Sequence, residues 1–207
     1  MKKIILDLCG GTGAWSKPYK DAGYEVIVIT LPDYNVLDWR MNGEIVVPIE
    51  SGEVYGILAA PPCTEFSRAK GNLPRDFETA MKVVQACMAI IWKTRINSKG
   101  NFKFWALENP VGFLRQFLGI PKFTFWQWQY GAPWNKQTDL WGYFNSPKPF
   151  VFEQPDLLKT TIGHKTHAVN YATPNSPEEY KHLKLDRAAI RSITPAGFAK
   201  AFYEANK

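Results

Sequence analysis

Between Lys3 and Thr30 the chain has few ways to fold. The apolar run Lys-Ile-Ile-Leu-Asp-Leu (3–8) ends in Cys-Gly-Gly-Thr-Gly, so three of the four positions 10–13 are glycine. This pattern reads as a buried strand opening into a turn that uses glycine's freedom at positive φ. A helix is expected from about Ala14 to Asp21, closed by Gly23, and a second apolar strand from Glu25 to Thr30. Strand, helix and strand at this spacing form a βαβ unit, which predicts an α/β chain with a largely parallel sheet and helices on its faces.

Glycines at a strand-to-helix turn let a ligand approach the backbone and leave helix amides pointing at it. The lysine of a phosphate-cradling loop is absent, which argues against a nucleoside triphosphate. The same pattern also serves as a plain tight turn. An acid past the second strand would bind ribose hydroxyls. Thr30 holds the nearest position, leaving Asp33 after Pro32, with Asp38 as a candidate for a base or amino group.

A second constraint lies at 54–67, Val-Tyr-Gly-Ile-Leu-Ala-Ala-Pro-Pro-Cys-Thr-Glu-Phe-Ser. Two prolines remove two backbone donors and fix two φ angles, so the strand stops there and a stiff turn delivers Cys63. A thiol just past a strand end lies at the sheet edge where ligand crevices form, although a buried loop cysteine fits the same position. Glu108 follows another apolar run, Lys103 to Leu107, and in a parallel sheet the two ends share one edge. Thiolate and carboxyl together suit nucleophilic addition to an electron-poor ring, the acid serving the ring nitrogen. Glu108 equally fits as a capping carboxylate for a helix after Pro110.

Apolar residues from Phe77 to Ile91 recur at helical spacing over 76–93 and place Cys87 on a core stripe. A short helix is expected over 111–118, strands over 123–130 and 137–144, and a last helix with Thr194 as N-cap and Pro195 at its first position. Residues 145–186 are interrupted by five prolines and read as an irregular excursion on a single domain spanning 1–207. His164 and His167 lack a thiol or carboxylate to complete a ligand set, so no metal is expected. Three widely spaced cysteines argue against a disulfide framework, and no signal peptide or membrane span is visible, so a cytoplasmic protein is expected. The formal charge is +6, and from Thr64 to Gly100 seven Lys or Arg face three acids, which suits a polyanion or a solvated face. Thirty aromatic residues exceed what a core of this size needs, so some are expected to line a cleft.

In this order, Asp-Leu-Cys-Gly-Gly-Thr-Gly, Pro-Pro-Cys-Thr-Glu-Phe-Ser, Glu-Asn-Pro and Arg-Ser-Ile-Thr-Pro-Ala-Gly-Phe-Ala resemble the DNA (cytosine-5) methyltransferases, specifically compact bacteriophage versions. The resemblance covers most of 3–144 and 187–203. It implies an AdoMet-dependent methyltransferase (Rossmann-like) fold, mostly parallel with one antiparallel strand and helices on both faces. S-adenosyl-L-methionine would be held by Asp7, Leu8, Cys9, Gly10, Gly11, Thr12 and Gly13, with Asp33, Asp38 and Pro61. Cys63 would attack C6 of an extruded cytosine while Glu108 contacts N3, and the ring's C5 would take the methyl group; extrusion is needed because stacked bases are inaccessible. Ser67, Arg68, Lys70 and Arg75 fall where the family closes a loop over double-stranded DNA.

The chain departs from that pattern in places. Thr64 follows the cysteine where the family commonly has Gln. In Tyr-Gly-Ala-Pro-Trp-Asn-Lys-Gln-Thr (130–138), Trp134 replaces Gln, and Lys136 and Thr138 replace two arginines. Lys136 keeps a charge for catalysis without a bidentate fork. The short 145–186 stretch stands in place of a full target-recognition domain, so modest specificity, or help from a dimer or accessory protein, would follow. Two other readings share the fold: a DNA-binding decoy that has lost turnover, and a pyrimidine C5 methyltransferase acting on RNA or free nucleotide. The host cytoplasm would be the site of action for a phage-encoded enzyme.

Overall fold

The computed structural model describes residues 3–41, 44–45, 53–98, 100–155, 161–162, 165–166 and 177–207. β1 (Ile4–Leu8) is buried along its whole length, because neighbours cover both its edges and both its faces. β2 (Glu25–Ile29) pairs with it in parallel on one side. After a two-residue antiparallel ladder of β3 (Arg40–Met41) with β4 (Glu44–Ile45), β5 (Val54–Ala59) pairs in parallel on the other. β6 (Phe104–Pro110) continues the parallel set. β7 (Phe123–Trp126) lies at the far edge, and β8 (Gln137–Tyr143) inserts between β6 and β7, antiparallel to both. The order β2-β1-β5-β6-β8-β7 makes β8 the one reversed strand of a six-stranded sheet. A further two-residue ladder joins β9 (Thr161–Ile162) and β10 (Lys165–Thr166).

Side chains alternate across the sheet, and each face has its own core. Leu6, Leu8, Ile57 and Leu107 pack under α2 (Phe77–Asn97), which contributes Val84, Cys87, Ile90 and Ile91. Asp76 caps α2 by accepting from the Thr79 amide at 2.9 Å. Ile5, Leu58, Phe104 and Ala106 point the other way, against Tyr19 of α1 (Lys17–Asp21). The same face receives Phe198 and Phe202 of the last helix. Eight aromatic residues belong to this second core, and Phe125 stacks on Phe198 at 4.3 Å. Much of the aromatic excess therefore fills the interior. Two short helices complete the set before that last one: α3 (Arg115–Leu118) and α4 (Arg187–Ser192), with α5 (Ala196–Asn206) the last helix itself.

Several boundaries differ from the sequence expectation, each for a local reason. β6 runs on to Pro110, because β8 supplies backbone partners beyond the point where its pairing with β5 ends. The expected helix at 111–118 starts only at Arg115, because the chain before it is held in bridge pairing, Val111 to the Gln137 carbonyl and Gly112 opposite Ser67. Residues Gln127–Tyr130 form a 3-10 turn rather than strand, ended by Gly131 at φ 81°. Ser16 gives its hydroxyl to Asp7, and α1 begins only at Lys17. Pro195, not Thr194, occupies the N-cap of α5, and its carbonyl accepts from Ala199.

Of the 145–186 stretch, its first residues are tied to the sheet domain. Asn145 and Asn206 exchange two hydrogen bonds, and the Tyr130 hydroxyl donates to the Pro147 carbonyl at 2.9 Å. His164 and His167 lie outside the described residues, as do the apolar positions 46–49. Among the described residues no helix is long and apolar enough to cross a membrane.

Phe202 is fully buried against Trp15, Phe104, Phe144 and Phe198. Phe202→Ala is expected to cost about 3–5 kcal/mol in urea denaturation with an unchanged slope. A loss below about 1 kcal/mol would contradict this packing.

Candidate active site

Cys63 is presented by a turn held at both ends. After β5, the Ala60 amide bonds the Leu8 carbonyl at 2.9 Å, and the buried Pro61 offers its carbonyl to Asn109 Nδ2 at 3.0 Å. Beyond the cysteine, the amides of Phe66 and Ser67 both donate to the Cys63 carbonyl, at 3.0 and 2.8 Å. Phe66 is fully buried and lies 6.0 Å from both Phe77 and Phe117, ring centre to ring centre. Its carbonyl accepts from Phe113, an approach that requires Gly112: a Cβ there would fall 2.2 Å from the Phe66 oxygen.

Glu108 and Lys136 come to the same edge. Glu108 sits on β6 opposite Leu140, and Lys136 immediately precedes β8. Burial pushes the partly exposed Cys63 thiol upward; Lys136 opposes that shift, Glu108 adds to it, and Arg191 opposes it. Burial likewise holds the Glu108 carboxyl above its usual range, with Lys136 lowering it and Asp139 raising it. A thiol and a carboxyl that both resist ionisation, under one shared cation, suit a step in which the thiol loses its proton as sulfur bonds carbon while the acid donates to a ring nitrogen.

Thr138 is not part of this group. It is buried, and its hydroxyl accepts from Gln127 Nε2 at 3.2 Å, while Gln127 Oε1 accepts from Trp134 Nε1 at 2.5 Å. Thr138 and Trp134, two departures from the expected pattern, therefore form one hydrogen-bonded unit behind the site. Asp139, fully buried, is held by Arg115 through Nε and a terminal nitrogen at 2.7 and 2.6 Å, and by Thr124 at 2.7 Å.

At the glycine turn, Asp7 is fully buried and accepts from Ser16 at 2.5 Å. Gly10 is required because a Cβ would lie 2.4 Å from Asp7 Cγ. Cys9 adopts φ 56°, a left-handed conformation that costs a non-glycine residue energy and that is enriched at functional sites. The Leu8 side chain belongs to the core, leaving only its backbone at the turn. Gly11 donates to Thr30 Oγ1 at 3.3 Å, Gly13 donates to the Gly10 carbonyl at 2.9 Å, and Thr12 bonds Tyr180. Asp33 and Asp38 are exposed past β2, Asp38 in a 3-10 turn capped by Asn35. The turn fits a small polar ligand: Asp7 Oδ1 is buried without a partner among the described residues, and a Cβ at Gly11 would meet no described atom within 4 Å.

The loop after Cys63 uses most of its cations internally. Arg75 donates to the Glu65, Ser67 and Gly71 carbonyls and lies 4.6 Å over the Phe113 ring. Lys70 pairs with Glu65 at 2.5 Å, and Ser67 caps the next turn through the Ala69 amide at 3.1 Å. Arg68 alone of the four expected DNA contacts is exposed with no ion pair among the described residues.

Arg191, on α4, is a cation that lowers the Cys63 thiol pKa and that sequence reasoning did not single out; its only signal was its place at the head of Arg-Ser-Ile-Thr-Pro. A cavity of about 850 Å³ lies elsewhere, between α1, residues 130–134 and the α4–α5 corner. Among the described residues no group of three His, Cys, Asp or Glu is placed to hold a metal ion. Compared with known proteins, the chain matches no family model and no curated protein.

Burial raises the Asp7 carboxyl from 3.8 to about 6, partly offset by Ser16. The folded chain therefore favours neutral Asp7, a contribution complete below about pH 3.8 and lost as pH rises through about 6. Between about pH 4 and pH 7, wild type is expected to lose up to about 3 kcal/mol relative to Asp7→Asn in urea denaturation. A pH-independent difference would contradict the burial of this carboxylate.

Proposed function

We propose that the chain is an AdoMet-dependent methyltransferase. Its reaction is transfer of a methyl group to C5 of cytosine in double-stranded DNA. The observation that carries the reading is the convergence of Cys63, Glu108 and Lys136 at one sheet edge, in the turn order and chemistry that pyrimidine addition requires. The six-stranded order with one reversed strand and the glycine turn at the end of β1 support the same class.

In this reading Asp7 and the turn from Leu8 to Gly13 hold the methyl donor, with Asp33 and Asp38 at its ribose and base. When bound, AdoMet supplies an electrophilic methyl group. Cys63 loses its proton and adds to C6 of the extruded cytosine, and Glu108 donates to N3 so that electron density collects at C5. Lys136 balances the negative charge shared by sulfur and carboxylate. C5 bonds the methyl group as its bond to the sulfonium breaks, leaving a neutral thioether; the C5 proton leaves to solvent, the C6–sulfur bond breaks, and N3 returns its proton to Glu108, which restores the ring and frees Cys63. Arg68 is the loop cation available to a DNA phosphate.

The test is DNA carrying 5-fluorocytosine, in which the final proton loss is blocked. Wild type is expected to form a covalent adduct that requires AdoMet and is absent in Cys63→Ala, with Glu108→Gln slower by about 100-fold or more. An adduct that persists in Cys63→Ala contradicts the assignment. Adducts with 5-fluoro RNA or nucleotide but not duplex DNA would move the reaction to another pyrimidine, and DNA binding without any adduct would indicate a decoy.

A further inference from the structure

Gln127 is buried in the 3-10 turn after β7, and the chemistry above leaves it unused. Four of its groups bond one short stretch of chain. Its carbonyl accepts from the Ala132 amide at 3.2 Å, and its own amide donates to the Lys136 carbonyl at 2.9 Å. Its side chain accepts from Trp134 Nε1 at 2.5 Å and donates to Thr138 Oγ1 at 3.2 Å. An indole N–H only donates, so Oε1 must face Trp134, and Nε2 is left for the Thr138 hydroxyl.

Lys136 therefore lies between two residues clamped by one side chain, and its own carbonyl is bonded to the same residue. Among the described residues no other side chain hydrogen-bonds the 132–136 stretch, and Asn135 Oδ1 is buried without a partner. The pairing beyond Lys136 locates it against the nucleophile. The Gln137 carbonyl accepts from Val111 at 3.0 Å, Gly112 lies opposite Ser67, and the Ser67 amide donates to the Cys63 carbonyl at 2.8 Å. Residues 136–137, residues 111–112 and the Cys63 turn thus lie side by side, joined by backbone bonds. An apolar side chain would fill the place of Gln127 without desolvating an amide. What the amide adds is direction, because it bonds fixed atoms on both sides of Lys136.

We infer that Gln127 is a positioning residue, whose amide sets the backbone of Lys136 against the turn that carries Cys63. The inference rests on the role given to Lys136 above and adds the residue that holds it in place. It also gives Trp134 and Thr138 a common purpose, as the two ends of the clamp.

Alkylation of Cys63 by iodoacetamide across pH, read by mass spectrometry of its peptide, tests this independently of methyl transfer. Burial and Glu108 raise this thiol and Lys136 and Arg191 lower it; the variants alter only Lys136 or its hold. Lys136→Met should move the alkylation midpoint to higher pH, and Gln127→Leu should move it the same way. Added to Lys136→Met, Gln127→Leu should move it no further, since a positioning residue acts only through what it positions. In methyl transfer to duplex DNA, Gln127→Leu should lower kcat roughly tenfold or more with the KM for AdoMet unchanged. Thr138→Val keeps the shape and removes one end of the clamp; it should shift both readouts the same way, and it carries the test if Gln127→Leu fails to fold. A wild-type midpoint in Gln127→Leu, or in Thr138→Val where that variant stands in, overturns the inference. So does an equal shift with and without Lys136, and so does an unshifted midpoint in Lys136→Met. The expected midpoints in a preparation that methylates no DNA, RNA or dCMP would leave the positioning role standing and remove the methyl-transfer reading alone.

Discussion

β6 is hydrogen-bonded on both sides, in parallel to β5 as far as Leu107 and antiparallel to β8 as far as Pro110. This double pairing fixes the site. Glu108 and Asn109 stand on rigid strand, not loop, and Asn109 reaches across to the Pro61 carbonyl, two residues before Cys63. The reversal of β8 matters equally. An antiparallel strand begins where its parallel neighbours end, so Lys136, just before β8, arrives at the edge that carries Cys63 and Glu108. Three groups from three distant parts of the chain are thus brought together by sheet geometry.

The arrangement costs stability locally. Asp7 Oδ1, Asn109 Oδ1 and Arg191 Nε are buried without partners among the described residues, and an unsatisfied buried polar atom typically costs about 1–3 kcal/mol. Burial also raises the pKa of Cys63, Glu108 and Asp7, disfavouring their ionised forms. Two cores offset this, one under α2 and one formed largely by aromatic rings under α1 and α5.

Much of the sheet was legible because β1, β2, β5 and β6 are apolar runs bounded by glycine, proline or acid, and α2 keeps a helical stripe over five turns. Cys63 and Glu108 were legible as strand-end residues of costly chemistry. What could not be read was set by contacts distant in sequence. The extension of β6 depends on β8, and the late start of α3 depends on Val111 and Gly112 continuing bridge pairing to Gln137 and Ser67. Arg75 and Lys70 read as phosphate contacts because charge is visible in a sequence and partners are not; the fold gives them backbone carbonyls and Glu65. Thr138 read as a weakened substrate contact, yet it is the internal partner of Gln127. Arg191 was visible only as the first residue of Arg-Ser-Ile-Thr-Pro, with nothing local to connect it to Cys63.

The central claim is that these groups act together on C5 of cytosine, and it is tested most directly by where a methyl group goes. Duplex DNA incubated with the protein and AdoMet labelled in the methyl group, then digested to nucleosides, should carry its label in 5-methyldeoxycytidine. Label recovered in an N-methylated base, or none recovered from DNA, RNA or dCMP although the protein binds AdoMet, would contradict the account.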